Sequence, residues 1–254
     1  MITENRRGHV FELTLNTNEK NTFDEESFAA LAKSLASARD DDGIKVVLIS
    51  AKEGKFFSNG FEPTMFLDKS YEQIHPILAI TMESTADLLL YPKPVLCYLN
   101  GHALGVGAVL ALFCDYRIML DGKGRIGFPE SRIGLNFPTI SAYILNELVG
   151  PRIARRILFS GLPLKPRDAL ECGLVDEVVS EEAAPGRIAR YCRQFEGMAM
   201  ESVVGIKRSL VQHRVSLVRQ QSKIDQEELA RAIASPNGQE GMRSILEARS
   251  PVFQ

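Results

Sequence analysis

The chain has 254 residues, 45% of them hydrophobic, and a formal net charge of −2, which excludes the strongly basic surface that nucleic acid or an anionic membrane would demand. This length suits one large α/β domain, alone or with a helical extension, and it buries a full core without cross-links. Cys97, Cys114, Cys172 and Cys192 lie far apart, with no metal-ligand or redox spacing, and they read as reduced, mostly buried thiols of a cytoplasmic protein. Met1 to Val10 is polar with no apolar signal region, and no apolar stretch is long enough to span a membrane.

In chain order, the alternation of Val10 to Leu15 predicts a strand with one face on the core. Asn16 to Asn21 is polar loop. Asp24 is placed to cap a helix carrying Phe28, Leu31, Ala32 and Leu35 at helical spacing, which ends at Asp40-Asp41-Asp42-Gly43. Ile44 to Ile49 reads as a buried parallel strand. Lys52 to Pro63 reads as a loop, and Tyr71 to Leu90 as a second helix broken by Tyr91-Pro92-Lys93-Pro94.

Pro94 to Leu120 is the densest stretch. An apolar strand, Val95 to Leu99, breaks at Asn100-Gly101. Gly101, Gly105 and Gly107 follow, and Ala108 to Phe113 is an unbroken apolar run before Cys114-Asp115-Tyr116-Arg117. A strand entering a glycine-rich turn that opens a buried helix leaves backbone N–H groups unpaired and aimed together. Such donors hold a phosphate, a carboxylate or a developing oxyanion. The same small residues also serve a tight connection needed only for packing.

Beyond it, Arg125 to Phe128 is a short extended run and Pro129 to Leu135 a loop. Pro138 to Val149 and Arg152 to Phe159 are helices split by Gly150-Pro151. Pro166 to Glu171 is a short helix, Val175 to Val179 is extended, and the rest is helical with breaks near Gly197, Ser235-Pro236 and Ser250-Pro251. The order predicts a parallel sheet with packed helices and a helical C-terminal part.

Gly122 to Gly127 fits GxGxxG, but Pro129 follows and no helix opens there, so the dinucleotide context is missing. No phosphate-binding lysine motif or nucleophile elbow occurs. His9, His75, His102 and His213 are isolated, which argues against a metal site. His102 reads as a loop histidine making a structural hydrogen bond. What remains is acid–base chemistry beside backbone donors.

Several segments now fall into one order: Asn21-Thr22-Phe23, Phe56 to Glu62, Asn100 to Gly107, Cys114 to Arg117, Phe128-Pro129-Glu130 with Ile133-Gly134-Leu135, and Glu240-Gly241-Met242 with Glu247 to Phe253. In sequence and spacing they resemble the ordered motifs of the crotonase, or enoyl-CoA hydratase/isomerase, superfamily over nearly the whole chain. The resemblance implies an α/β spiral of ββα units in residues 1–195 and a helical trimerisation region in 196–254. It implies an acyl-CoA thioester as substrate, coenzyme A being part of that substrate and not a cofactor, no metal, and a homotrimer or dimer of trimers. It places the oxyanion hole at the backbone N–H groups of Phe61 and Val106. It places contacts to substrate or its coenzyme A at Lys55, Phe57, Asn59 and Gly105, and the acid–base residue at Glu130.

The departures from the family pattern narrow the chemistry. Family hydratases carry two glutamates; here the first position is Val109 and only Glu130 remains. Val106 and Phe61 replace smaller residues, Glu62 replaces an aspartate, and both Glu62 and Asp115 are assigned structural hydrogen bonds. A glutamate facing an apolar pocket has a raised pKa suited to proton shuttling; a solvated loop glutamate would instead pair with Arg132. One base suffices to move a double bond from the 3- to the 2-position of an enoyl-CoA. The alternatives are a 2-enoyl-CoA hydratase, or another crotonase reaction, with a second polar group from a place the sequence does not fix, the helix Tyr71 to Leu90 containing Glu83 and Asp87, or a non-catalytic acyl-CoA-binding member.

Overall fold

The computed structural model describes residues 1–254. Its main sheet has six strands. A hairpin of β1 (Ile2–Arg7) and β2 (Val10–Leu15) is antiparallel; β3 (Val46–Ala51), β5 (Val95–Leu99), β7 (Tyr116–Leu120) and β9 (Glu177–Val179) then add in parallel, in that order. In β2 the alternation buries Phe11, Leu13 and Leu15, whereas β3 is buried on both faces, as expected of a central parallel strand. A second, parallel sheet holds three short strands, β4 (Phe56–Ser58), β6 (His102–Leu104) and β8 (Ile126–Gly127).

The helices complete a repeat. Three times the chain makes a strand of the main sheet, a strand of the small sheet, and a helix: β3-β4-α2 (Tyr71–Leu89), β5-β6-α3 (Val106–Phe113) and β7-β8-α4 (Thr139–Ser160). The first helix, α1 (Glu25–Asp40), starts where Asp24 accepts from the Ser27 N–H at 2.9 Å. Gly150 breaks α4 internally with φ 76° and ψ 161°, as Gly150-Pro151 predicts.

Two expectations are corrected: Phe56 to Ser58 is a strand within the expected loop, and His102 to Leu104 is a strand within the expected glycine turn; Ile2 to Arg7 is a further strand that the sequence pattern does not announce. The edge strand β1 is exposed along almost its whole length, so it carries no hydrophobic alternation. The short strands are held by backbone approach instead: a Cβ on Gly101 would lie 2.7 Å from Phe57 N, and one on Gly107 2.6 Å from Ser58 Cβ. His102 is corrected too. Its ring packs on Phe56, centroids 5.6 Å apart, and its side chain makes no hydrogen bond.

The remaining helices are α5 (Pro166–Glu171), α6 (Ala184–Arg193), α7 (Met200–Ala234) and α8 (Pro236–Leu246). The 35-residue α7 lies back on its own chain. Leu229, Ala230 and Ile233 pack with Ile74, Ile77 and Leu78 of α2 and with Met242 of α8. Near its other end, the buried Lys207 ammonium donates to Asp115 Oδ2 at 2.6 Å and to the Lys93 carbonyl at 2.8 Å, while Asp115 also accepts from the Val95 N–H. Asp115 thus has the structural role expected of it. Lys207 is buried while Asp115 is about one-third exposed, so this pair is half-buried. Ile206, Leu210 and Ile224 remain exposed on α7.

Candidate active site

The site forms where β4 and β6 end. Gly60 has φ 94°, and Gly105, just before α3, has φ 53° and ψ −126°, conformations that suit glycine and strain other residues. The two backbones face each other closely, since a Cβ on Gly60 would lie 3.6 Å from Val106 N. Each glycine precedes an unengaged donor. Phe23 exchanges hydrogen bonds with the Gly60 carbonyl and the Glu62 N–H, both 2.9 Å, so the intervening Phe61 N–H points the other way. Val106 opens α3, where no carbonyl one turn earlier awaits its N–H. Neither donor has an acceptor within the protein. The Phe61 ring turns aside onto Phe66, 5.3 Å away edge-on, and Phe28, 5.8 Å away.

Glu130 completes the cluster. It begins a single 3₁₀ turn, Glu130–Arg132, after β8. Its Oε1 lies 3.7 Å from where a Cβ on Gly105 would sit, and its Oε2 is shielded from solvent with no hydrogen-bond partner. Burial pushes its pKa up to about 7, because a carboxylate loses its hydration there without gaining a cation. Arg132 does not pair with it; the guanidinium reaches the Ser160 carbonyl at 3.4 Å. The solvated ion pair considered from the sequence does not form.

Behind these groups runs a narrow apolar cavity of about 60 Å³. Val106, Val109 and Phe113 form one wall along α3, and Thr81, Met82, Thr85 and Ala86 form another along α2. Ile140, Ser141, Ser222 and Leu229 contribute from α4 and α7. The hydroxyls of Thr81, Thr85 and Ser222 donate to carbonyls of their own helices, at 3.2, 2.9 and 2.6 Å. Glu130 is the one carboxyl group in the lining, which contains no histidine, lysine or arginine. Glu83 and Asp87, the candidates for a second acid, lie on the exposed face of α2 and do not reach it.

The other residues singled out divide in two. Gly105 is in the cluster. Lys55 and Asn59 line a separate surface groove with Asn18, Lys20 and Phe56, and the Lys55 ammonium lies 5.4 Å from the centroid of the Phe56 ring. The Phe57 side chain is fully buried in the core, which leaves its backbone for the contact expected of it, because alternation along β4 turns Phe57 inward and leaves Phe56 half-exposed. Glu62 accepts from Thr22 at 2.7 Å and Thr64 at 3.2 Å, a structural role as expected. The cavity walls on α2, α4 and α7 were not singled out from the sequence, since nothing in a helix's pattern tells which buried face lines an empty space.

Two unengaged backbone donors, a shielded acid and an apolar slot, set on a spiral of ββα units, define the crotonase class of fold and site. The family model described as enoyl-CoA hydratase/isomerase matches residues 5–254, and the chain belongs to that family. It is 33% identical over 187 residues to enoyl-CoA delta isomerase 3 of Arabidopsis thaliana, covering 72% of this chain and 79% of the relative. It is 26% identical over 247 residues to a probable enoyl-CoA hydratase of Bacillus subtilis, covering 96% and 95%. The crystal structure of human mitochondrial delta3-delta2-enoyl-CoA isomerase superposes with a TM-score of 0.92 at 23% identity, over 97% of each chain, and shows the shared fold. No helix is long and apolar enough to cross a membrane.

Proposed function

We propose that this protein shifts the double bond of a 3-enoyl-CoA to the 2-position, with Glu130 as the sole proton carrier. The observation that carries this reading is the single carboxyl group in the cavity lining. The thioester carbonyl accepts from the Phe61 and Val106 N–H groups. The Glu130 carboxylate takes a proton from C2, and the electron pair of that C–H bond moves into a dienolate whose oxygen the two donors hold. Protonated Glu130 then gives the proton to C4, the double bond settles between C2 and C3, and the carboxylate is regenerated. Oxyanion donors are each worth about 3–4 kcal/mol in such sites. Hydration would require a second group to hold and activate water, and Val109 stands on α3 where family hydratases carry that acid. The same reading includes Lys55 and Asn59 as contacts to the coenzyme A portion, and assembly as a trimer or dimer of trimers.

Parallel assays with 3-enoyl-CoA and 2-enoyl-CoA test the reaction. Conversion of the first to the second, without appreciable hydration, is the expected result; clear hydration of the 2-enoyl thioester without isomerisation overturns the proposal. The pH profile is a second check. Glu130 must be ionised to take the first proton, so kcat/KM rises with pH and levels off above a midpoint near the value of about 7 set by its burial. A profile still flat down to pH 5 would exclude Glu130 as the base.

A further inference from the structure

The floor of the cavity is a ruler. Val106, Val109 and Phe113 share one face of α3, and the eight-residue helix rises about 10 Å from the donor end at Val106 to Phe113. Side chains on a helix lean toward its N-terminus, so the Phe113 ring reaches back over the preceding turn and shortens the usable length. Phe113 also lines a second cavity of about 240 Å³, beyond the first, whose apolar walls include Leu89, Leu112, Ile144, Leu148, Leu210 and Val211. Its ring is therefore a partition between two spaces. Five charged residues share the lining of the second: Asp115 is bonded to Lys207, Glu147 to Arg214, and Arg117 is the fifth.

We propose that Phe113 sets the upper limit of acyl length and that the substrate is a straight-chain thioester of about six to ten carbons, an extended chain advancing about 1.2 Å per bond. This rests on the acyl-thioester reading of the cavity and adds the size class of the tail. With the carbonyl held at Val106, a tail running along α3 meets the ring after about six to eight bonds. Shorter tails leave apolar wall uncovered; longer ones meet a ring that is itself wedged in the core. Opening that partition joins the first cavity to a second whose wall is apolar in part and carries its charges mostly in pairs.

The test is calorimetric binding of saturated acyl-CoAs from four to sixteen carbons, which needs no turnover, to wild type, Phe113→Ala and Phe113→Leu. Wild-type affinity is expected to rise about fourfold per added methylene, to peak near eight carbons and to fall beyond ten. Phe113→Ala should move the peak to fourteen carbons or more, and Phe113→Leu, which folds with less disturbance, should move it by two to four. Wild-type binding of the sixteen-carbon thioester as tight as that of the eight-carbon one overturns the proposal, as does an unshifted peak in a folded Phe113→Leu protein. Those results with 3-enoyl-CoA isomerisation intact would remove the length limit and leave the reaction standing. A length limit found without isomerisation would do the reverse.

Discussion

Glu130→Gln is expected to reduce kcat by about 10²–10⁴-fold, the range that general acid–base catalysis supplies, while leaving acyl-CoA affinity close to that of wild type. Gln keeps the shape of the side chain but carries no proton from C2 to C4. The same substitution has an opposite effect on stability. Because the folded protein raises the Glu130 pKa from 4.5 to about 7, it binds that proton more tightly than the unfolded chain does. Wild-type stability from this group is fully present below pH 4.5 and is lost as pH rises through 7. The loss amounts to about 3 kcal/mol. Gln has nothing to ionise, so Glu130→Gln should gain stability relative to wild type on going from pH 5 to pH 8. Urea melts across that interval, with initial rates on 3-enoyl-CoA, read both effects. Near-native turnover would end the role assigned to Glu130, and a pH-independent stability difference would mean that its carboxyl is not held neutral by burial.

Gly241→Ala is expected to destabilise the fold by about 2–4 kcal/mol and to lower activity, although Gly241 touches neither the cavity nor Glu130. A Cβ there runs into the carbonyl of Ile133, the residue that closes the 3₁₀ turn begun by Glu130. A clash with backbone is not relieved by a rotamer change. Gly134, with φ 69°, meets the Asn237 carbonyl at 2.8 Å in the same way. The turn carrying the acid is thus seated on the backbone of α8, and lifting it moves Glu130 away from Gly105. Thermal melts and kcat on the folded fraction check this; a variant with wild-type melting and wild-type kcat would show that the turn is positioned otherwise.

Much of this arrangement is legible in the residues, and each illegible part has its own physical cause. Val95 to Phe113 reads clearly as strand, glycines and buried helix because a long apolar run and glycines with few alternatives leave little freedom. The three-residue strands β4 and β6 are too short to show alternation, so the pleat that turns the Phe57 side chain inward does not show in the sequence. Glu130 is recognisable only through the Phe-Pro-Glu block and its family resemblance; composition alone does not separate it from a solvated glutamate beside Arg132. The second acid sought on α2 fails for a geometric reason, since Glu83 and Asp87 share the helix face opposite Thr81 and Thr85.

The hydroxyls of Thr81, Thr85 and Ser222 are turned back to carbonyls of their own helices. A water molecule settles where it finds two to four polar partners, and these three hydroxyls have committed their hydrogens, leaving only their lone pairs to offer. A site that offers acceptors alone holds water less firmly than one that also offers donors, and an apolar group that displaces poorly held water gains affinity. Entry of a hydrocarbon tail is driven there by the release of loosely bound solvent, while orientation is left to the two backbone donors and one acid at the mouth of the slot.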